Sequence, residues 1–361
     1  MAPTPSDQPT TAAQVAGELT GSPPAAGAPT PLPMAEAPIH AIQPGGGTVM
    51  ALELAWGRLR RRLLRLFFPG YVRQMAQRRQ GQCPDCPGQR RGCRQEVIDA
   101  RDLKYFRNVC GYHFAPEDDH YRGRDRLGFA RPGLAELLVF SLFFGLLTAG
   151  GIAAWFLGLT GWVAWPVTVA AALCWAEVVW FFRDPERKGT TDPTALVSPA
   201  DGTITDIGEV AVPDFPGGKA FRIGIFLSVF NVHVNRSPRQ ARVTRLRYFP
   251  GQFANALNMS CAECNEQLWI DMEDTTLGIP MRVKQIAGAI ARRIVCTLRV
   301  GEIVPVGVRI GMIKFGSRTE LYLPAGLNLE TGVRVGQAVQ GGSTILLRFK
   351  DATAPVPPRQ T

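Results

Sequence analysis

Residues 221–249, FRIGIFLSVFNVHVNRSPRQARVTRLRYF, hold two short β-prone runs, 221–227 and 242–249, separated by a loop of Asn, Ser and Pro. Similar runs recur at 267–273, 281–286, 293–300, 319–323 and 344–349, broken by Gly, Pro and Asn from about Thr190 onward. Short, evenly spaced, alternating runs predict a mainly β domain, an antiparallel sandwich or barrel, over 184–361. Near its end, GEIVPVGVRIGMIKFG (301–316) and GVRVGQAVQGGSTILLRF (332–349) read as two related Gly-rich hairpins of a hammerhead-like kind. Their glycines stand where strands must turn or cross closely.

Outward toward the N-terminus lie two apolar runs, 134–157 and 162–182. Each is long enough to span a bilayer, for which roughly 20 apolar residues suffice. The short connection between them predicts a transmembrane helical hairpin over 132–183. Arg122, Arg124, Arg126 and Arg131 precede it and Arg183, Arg187 and Lys188 follow it, which sets both ends in the cytoplasm. Trp155, Trp162 and Trp165 near the tip suit the opposite interface. Glu136, near a helix end, is expected to snorkel and Glu177 to be paired. The β domain is then expected on the cytoplasmic face of the cell's inner membrane.

The segment before the hairpin, 51–131, carries 18 basic and 9 acidic residues, hence +9 of the chain's net +10. Within it, 52–68 (LELAWGRLRRRLLRLFF) reads as an amphipathic helix with Leu52, Trp56, Leu59, Leu63 and Leu66 on one stripe and arginines largely off it. Such a helix suits an anionic membrane surface. Because the charge abuts two membrane runs, it argues for lipid and against nucleic acid. The first 50 residues hold ten prolines and no Lys or Arg. They are expected to be disordered rather than a secretory signal. Met50 opens the first patterned segment and is an alternative start. The eight cysteines are expected to be reduced thiols of a cytosolic compartment. Cys83, Cys86, Cys93 and Cys110, with His113 and His120 nearby, are compatible with tetrahedral zinc, although their spacing matches no familiar zinc module.

Within the β region four segments hold residue types that are costly to keep without a reason: VSPADG (197–202), FNVHVNRSP (230–238), GMIKFGSR (311–318) and GGST (341–344). Each has a bland reading. His233 taken alone is a core histidine, Asp201 a turn residue bonding its own backbone, and Ser343 a bend after two glycines.

Taken in order, these segments resemble the phosphatidylserine decarboxylase family, specifically its short membrane-anchored members. The resemblance runs from FFRDPER (181–187) to Phe349 and includes YFPGQFANA (248–256), Asn265-Glu266 and RIGMIKFGSRTELYLP (309–324). It implies a self-processing enzyme that cuts its own chain between Gly342 and Ser343, giving a heterodimer of 1–342 and 343–361. Ser343 would become a pyruvoyl group, the cofactor, by attacking the Gly342 carbonyl, and a glycine there leaves that attack unhindered. Serine needs a base, and His233 oriented by Asp201 fits the family's triad. The implied reaction converts phosphatidylserine to phosphatidylethanolamine and carbon dioxide through a Schiff base, with the pyruvoyl group as electron sink. His233 is a candidate to return the proton, since an unperturbed histidine titrates near neutrality. Lys314, Arg318 and Arg236 are candidates, by charge alone, for the lipid phosphate or carboxylate.

Two features depart from the family pattern. Gly341 stands where a larger apolar residue is frequent, which would loosen the cut site. Cys261 and Cys264 form a CxxC where a polar loop is expected, read as reduced thiols. The same chemistry on another serine-linked lipid is an alternative. A non-catalytic membrane adaptor is another, because Gly-rich hairpins also build carrier folds, but those present a lysine where this chain has Gly-Gly-Ser.

Overall fold

In the computed structural model the described residues are 35–37, 59, 62–79, 126–253 apart from 160 and 163, and 264–350 apart from 289–292, 297, 315 and 316. Cys83, Cys86, Cys93, Cys110 and Cys261 lie outside them, as does most of the segment expected to be disordered. Three residues of that segment are ordered against the β domain instead. The Ala37 amide donates to the Tyr248 carbonyl at 2.9 Å, and Glu36 pairs with Arg245 at 3.0 Å.

Helix α1 spans Pro69–Arg79, and residues 62–67 before it are also helical, with Leu63, Leu66, Phe67 and Phe68 exposed. Helices α2 (Leu134–Phe156) and α3 (Ala164–Phe181) pack on each other. Both are long and apolar enough to cross a membrane, and most of their large apolar side chains face outward. Trp155 and Trp165 meet edge-on at 5.4 Å beside the connection.

The rest is β structure, antiparallel in every strand pairing. The strands are β1 (Ala195–Val197), β2 (Gly202–Ala211), β3 (Lys219–Leu227), β4 (Val234–Arg236), β5 (Ala241–Phe249), β6 (Gln267–Asp274) and β7 (Pro280–Ala287). Then follow β8 (Arg293–Cys296), β9 (Ile303–Val304), β10 (Arg309–Lys314), β11 (Ser317–Pro324), β12 (Leu329–Thr331), β13 (Ala338–Val339) and β14 (Ile345–Phe349). Eight strands form one sheet in the order β13-β2-β3-β11-β7-β6-β5-β9; β1-β14-β12 and β4-β10-β8 form two smaller sheets. Period-two alternation explains the main core. Ile223, Ile225 and Leu227 of β3 and Leu321 and Leu323 of β11 face it with at most 1% exposure. Each such side chain contributes about 1.5–3 kcal/mol when fully buried.

The two Gly-rich segments are not self-contained hairpins. Strand β9 pairs with β5 whereas β10 pairs with β4 and β8; β13 pairs with β2 whereas β14 pairs with β1 and β12. Each segment crosses between sheets, and this ties the small sheets to the large one. Strand β2 was not anticipated, because Gly202, Asp206, Gly208 and Glu209 dilute its apolar pattern.

The helical hairpin is fastened at its root. The Ala130 amide donates to the Phe182 carbonyl at 2.7 Å and the Asp184 amide to the Gly128 carbonyl at 2.8 Å, joining the chain entering α2 to the chain leaving α3. A small core of Ala130, Phe181, Phe182, Val232, Val234 and Met312 then packs this root against β4 and β10. Gly133 is required here, since any Cβ would collide with the Phe182 ring. Glu136 of α2 does not snorkel outward; it forms a buried ion pair with Lys314 of β10.

Candidate active site

The loop from β1 to β2 and the loop from β13 to β14 lie side by side. The Ser198 amide donates to the Thr344 carbonyl at 2.8 Å, and the Gly342 amide donates back to the Ser198 carbonyl at 2.7 Å. Strand β4 closes the third side, its Arg236 amide donating to the Pro199 carbonyl at 2.8 Å. Three of the four segments singled out in the sequence therefore converge, although about 140 residues separate the first from the last.

At the junction the chain makes a tight turn. The Ser343 amide reaches the Gln340 carbonyl at 3.2 Å and the Thr344 amide reaches the same oxygen at 2.9 Å. Gly342 sits at φ +72°, a left-handed conformation that a side chain would strain. There is also no room for one, since a Cβ would come within 2.8 Å of Arg236 Cδ and 3.2 Å of Gly307 Cα. Ser343 is exposed. Gly341 does not loosen the turn. It is buried, a Cβ on it would press on the Ala200 backbone at 3.1 Å, and its amide is held by Asp201 Oδ1 at 2.7 Å.

Asp201 thus grips the backbone next to the Gly342–Ser343 bond. Its other oxygen accepts from the Arg187 guanidinium at 2.8 Å, and Arg187 also donates to Gln340 Oε1 at 3.1 Å. Burial raises the Asp201 carboxyl above the usual aspartate range, opposed by Arg187 and the Gly341 amide.

His233 is fully buried beneath the hairpin root, its ring 4.4 Å from that of Phe181. Its Nδ1 lies 2.9 Å from the Asn231 carbonyl. A carbonyl can only accept, so Nδ1 carries the proton and the neutral ring keeps its lone pair on Nε2. Burial, with a smaller contribution from the Arg183 charge, lowers its pKa to about 4. The ring is therefore neutral at pH 7, a proton acceptor rather than the near-neutral titrating group expected from the sequence. The loop carrying it is pinned to the end of α3. Arg183 stacks on Trp180 at 4.0 Å and donates to the Phe230 carbonyl at 2.9 Å, while Asn231 Oδ1 accepts from the Ser228 amide at 2.9 Å. The Asp201 oxygens go to Arg187 and Gly341, not to His233; it is the Asn231 carbonyl that sets the ring tautomer.

The three basic candidates separate. Arg236 is at the site, with its Cδ against Gly342, but its guanidinium is committed to Asp184 at 2.5 Å and to the Gly307 and Pro185 carbonyls at 3.0 and 2.9 Å. Lys314 is buried against Glu136. Arg318, 1% exposed, bonds Asp206, Glu320 and Thr205 on the face of β11 turned away from the main core. Both are held in internal ion pairs. Arg187, Gln340, Asp184 and Arg309 were missed. Arg187 was read only as a flank of the membrane run, and its place in FFRDPER was the available signal. The four cysteines considered for zinc lie outside the described residues, among which no cluster of metal-ligating side chains occurs.

A family model described as phosphatidylserine decarboxylase matches residues 176–347. The chain is 43% identical over 249 residues to the phosphatidylserine decarboxylase proenzyme of Rhodopirellula baltica, covering 69% of this chain and 99% of that one. It is 46% identical over 180 residues to the proenzyme of the same name from Desulfotalea psychrophila, covering 50% of this chain and 83% of the relative. With that from Magnetococcus marinus it shares 35% over 210 residues, 58% of this chain and 91% of the relative.

Proposed function

The chain belongs to the phosphatidylserine decarboxylase family, and from that premise we propose that it is a membrane-anchored, self-processing decarboxylase converting phosphatidylserine to phosphatidylethanolamine and carbon dioxide. The observation that carries the assignment onto particular residues is the turn at 340–344. There a glycine at φ +72° precedes an exposed serine, and the amide one residue earlier is held by a buried aspartate.

In the first step Ser343 Oγ attacks the Gly342 carbonyl, replacing the amide by an ester. The bare Gly342 leaves the carbonyl open, and the Asp201 grip on Gly341 keeps the segment from swinging away. His233, neutral with its lone pair on Nε2, is our candidate base, acting once the turn brings the Ser343 hydroxyl within reach. Loss of the Ser343 α-proton with departure of the Gly342 carboxylate leaves a dehydroalanine. Addition of water and loss of ammonia then give the pyruvoyl group at the head of 343–361. That group supplies the electrophilic carbonyl that captures the substrate amine and accepts the electron pair left when carbon dioxide departs. The residues present fit it, since Ser343 is exposed on a turn framed by Ser198, Asp201, Arg187 and Arg236. We assign the β domain to the cytoplasmic face of the inner membrane, anchored by the hairpin. The two chains would stay together as a heterodimer.

Intact mass under denaturing conditions, beside a Ser343→Ala control, tests the reading. The expected result is two chains, the smaller lighter by one ammonia than a peptide beginning at Ser343, and a control that stays whole. A single uncut wild-type chain would refute it.

A further inference from the structure

A cleft of about 650 Å³ opens beside the cut site, walled by Arg126, Arg187, Arg236, Arg309, Glu186 and the 306–308 backbone. Four arginines meet one glutamate there. Like charges this close repel and are tolerated where a counter-charge joins them. Two of the four share Asp184, which pairs with Arg236 and Arg309, and Arg187 leans on Asp201. Arg126 is exposed and has no ion pair among the described residues, and Arg309 is half exposed. Donors therefore remain for a guest anion, and arginine's planar fork suits phosphate oxygens.

The cleft's position narrows the guest. Arg126 stands just before α2, and Glu186 and Arg187 stand just after α3, so the cleft opens at the root of the membrane hairpin, at the depth of lipid headgroups. Its inner wall is the cut site. A Cβ on Gly342 would lie 2.8 Å from Arg236 Cδ, 3.2 Å from Gly307 Cα and 3.4 Å from Arg187 Cβ, all three residues being walls of the cleft.

We propose that this cleft binds the phosphodiester of a serine phospholipid, with Arg126, Arg187 and Arg309 as its phosphate ligands and Arg236 as the floor that separates the phosphate from residue 343. The proposal rests on the decarboxylase reading and adds to it the site through which the headgroup enters. Arg126 and Arg309 can be replaced without touching Asp201, His233 or the 340–344 turn.

The test uses the full chain as Ser343→Ala, which does not turn over, and measures binding of glycerophosphoserine and of inorganic phosphate by calorimetry. Arg126→Gln and Arg309→Gln are then compared with the parent. Processed enzyme bearing the same substitutions is assayed on phosphatidylserine in mixed micelles, with cleavage checked by mass. We expect complete cleavage, a KM raised about tenfold by each substitution with kcat little changed, and a matching loss of glycerophosphoserine binding. Unchanged KM and binding in both variants would overturn the cleft while wild-type carbon dioxide release left the decarboxylase reading standing. Phosphate binding as tightly as glycerophosphoserine would reduce the site to a generic anion site and also overturn the proposal. If wild-type enzyme released no carbon dioxide, the decarboxylase reading would fall, and the calorimetry on Ser343→Ala would judge the cleft by itself. Arg126, which supports no described ion pair, keeps the test sound should Arg309→Gln, which strips a partner from Asp184, fold poorly.

Discussion

His233 and Asp201 are both buried, and burial disfavours the charged form of each. The histidine's pKa falls to about 4 while the aspartate's rises. For His233 this has a measurable consequence for stability. Above pH 6.5 the ring is neutral in both folded and unfolded chains and contributes no pH dependence. As the pH falls toward 4 the unfolded chain takes up a proton that the folded chain refuses, so stability drops by about 3 kcal/mol across that window. Denaturant unfolding at pH 7 and pH 4.5 should show a clearly smaller loss in His233→Gln than in wild type, and equal losses would contradict the assignment. Ser343, Asp201 and His233 were legible as residue types in an ordered series of segments. The Nδ1 tautomer of His233 was not, because it depends on which carbonyl the fold puts beside the ring.

Among the elements, the helical hairpin also helps to build the site, because its root forms part of the wall around His233. Phe181 covers the ring, Phe182 fills the space left by Gly133, and Glu136 reaches Lys314 on β10. Removing one partner of a buried pair leaves an uncompensated charge and costs about 3–5 kcal/mol. Lys314→Met should therefore lower the thermal midpoint in detergent micelles while leaving KM for phosphatidylserine unchanged. Adding Glu136→Leu should restore much of the loss. A raised KM at unchanged stability would return Lys314 to the list of lipid contacts. The two apolar runs were readable from length and composition, and most strands from alternation. The crossing of β9–β10 and β13–β14 between sheets was not, since glycine spacing marks where a chain bends without saying which edge it joins.

Over the whole molecule, the proposed cut leaves a small chain of residues 343–361 whose strand β14 is paired on both sides, with β1 and β12, and whose Leu346 and Leu347 are fully buried. The processed chains should co-elute in detergent on native sizing and separate only on denaturation, with or without reductant. Release of the small chain under native conditions would contradict the pairing. If the outward-facing apolar helices cross a membrane as proposed, the arginine cleft at their root would face the headgroup layer. The order of local patterns was determined by sequence alone: a basic segment, two bilayer-length apolar runs, a series of alternating strands, and a Gly-Ser pair preceded far upstream by an Asp and a His. Periodicity and composition are local properties, and a chain carries them before it folds. What only the tertiary structure decided was the partner of each charge. Glu136 and Lys314 are 178 residues apart, and Asp201 and Gly341 are 140 apart. Electrostatic and hydrogen-bonding energies depend on distances of a few ångströms through space. Arginines that look alike in the sequence thus became a buried ion pair at Arg318, a link between Asp201 and Gln340 at Arg187 and an exposed side chain with no described ion pair at Arg126.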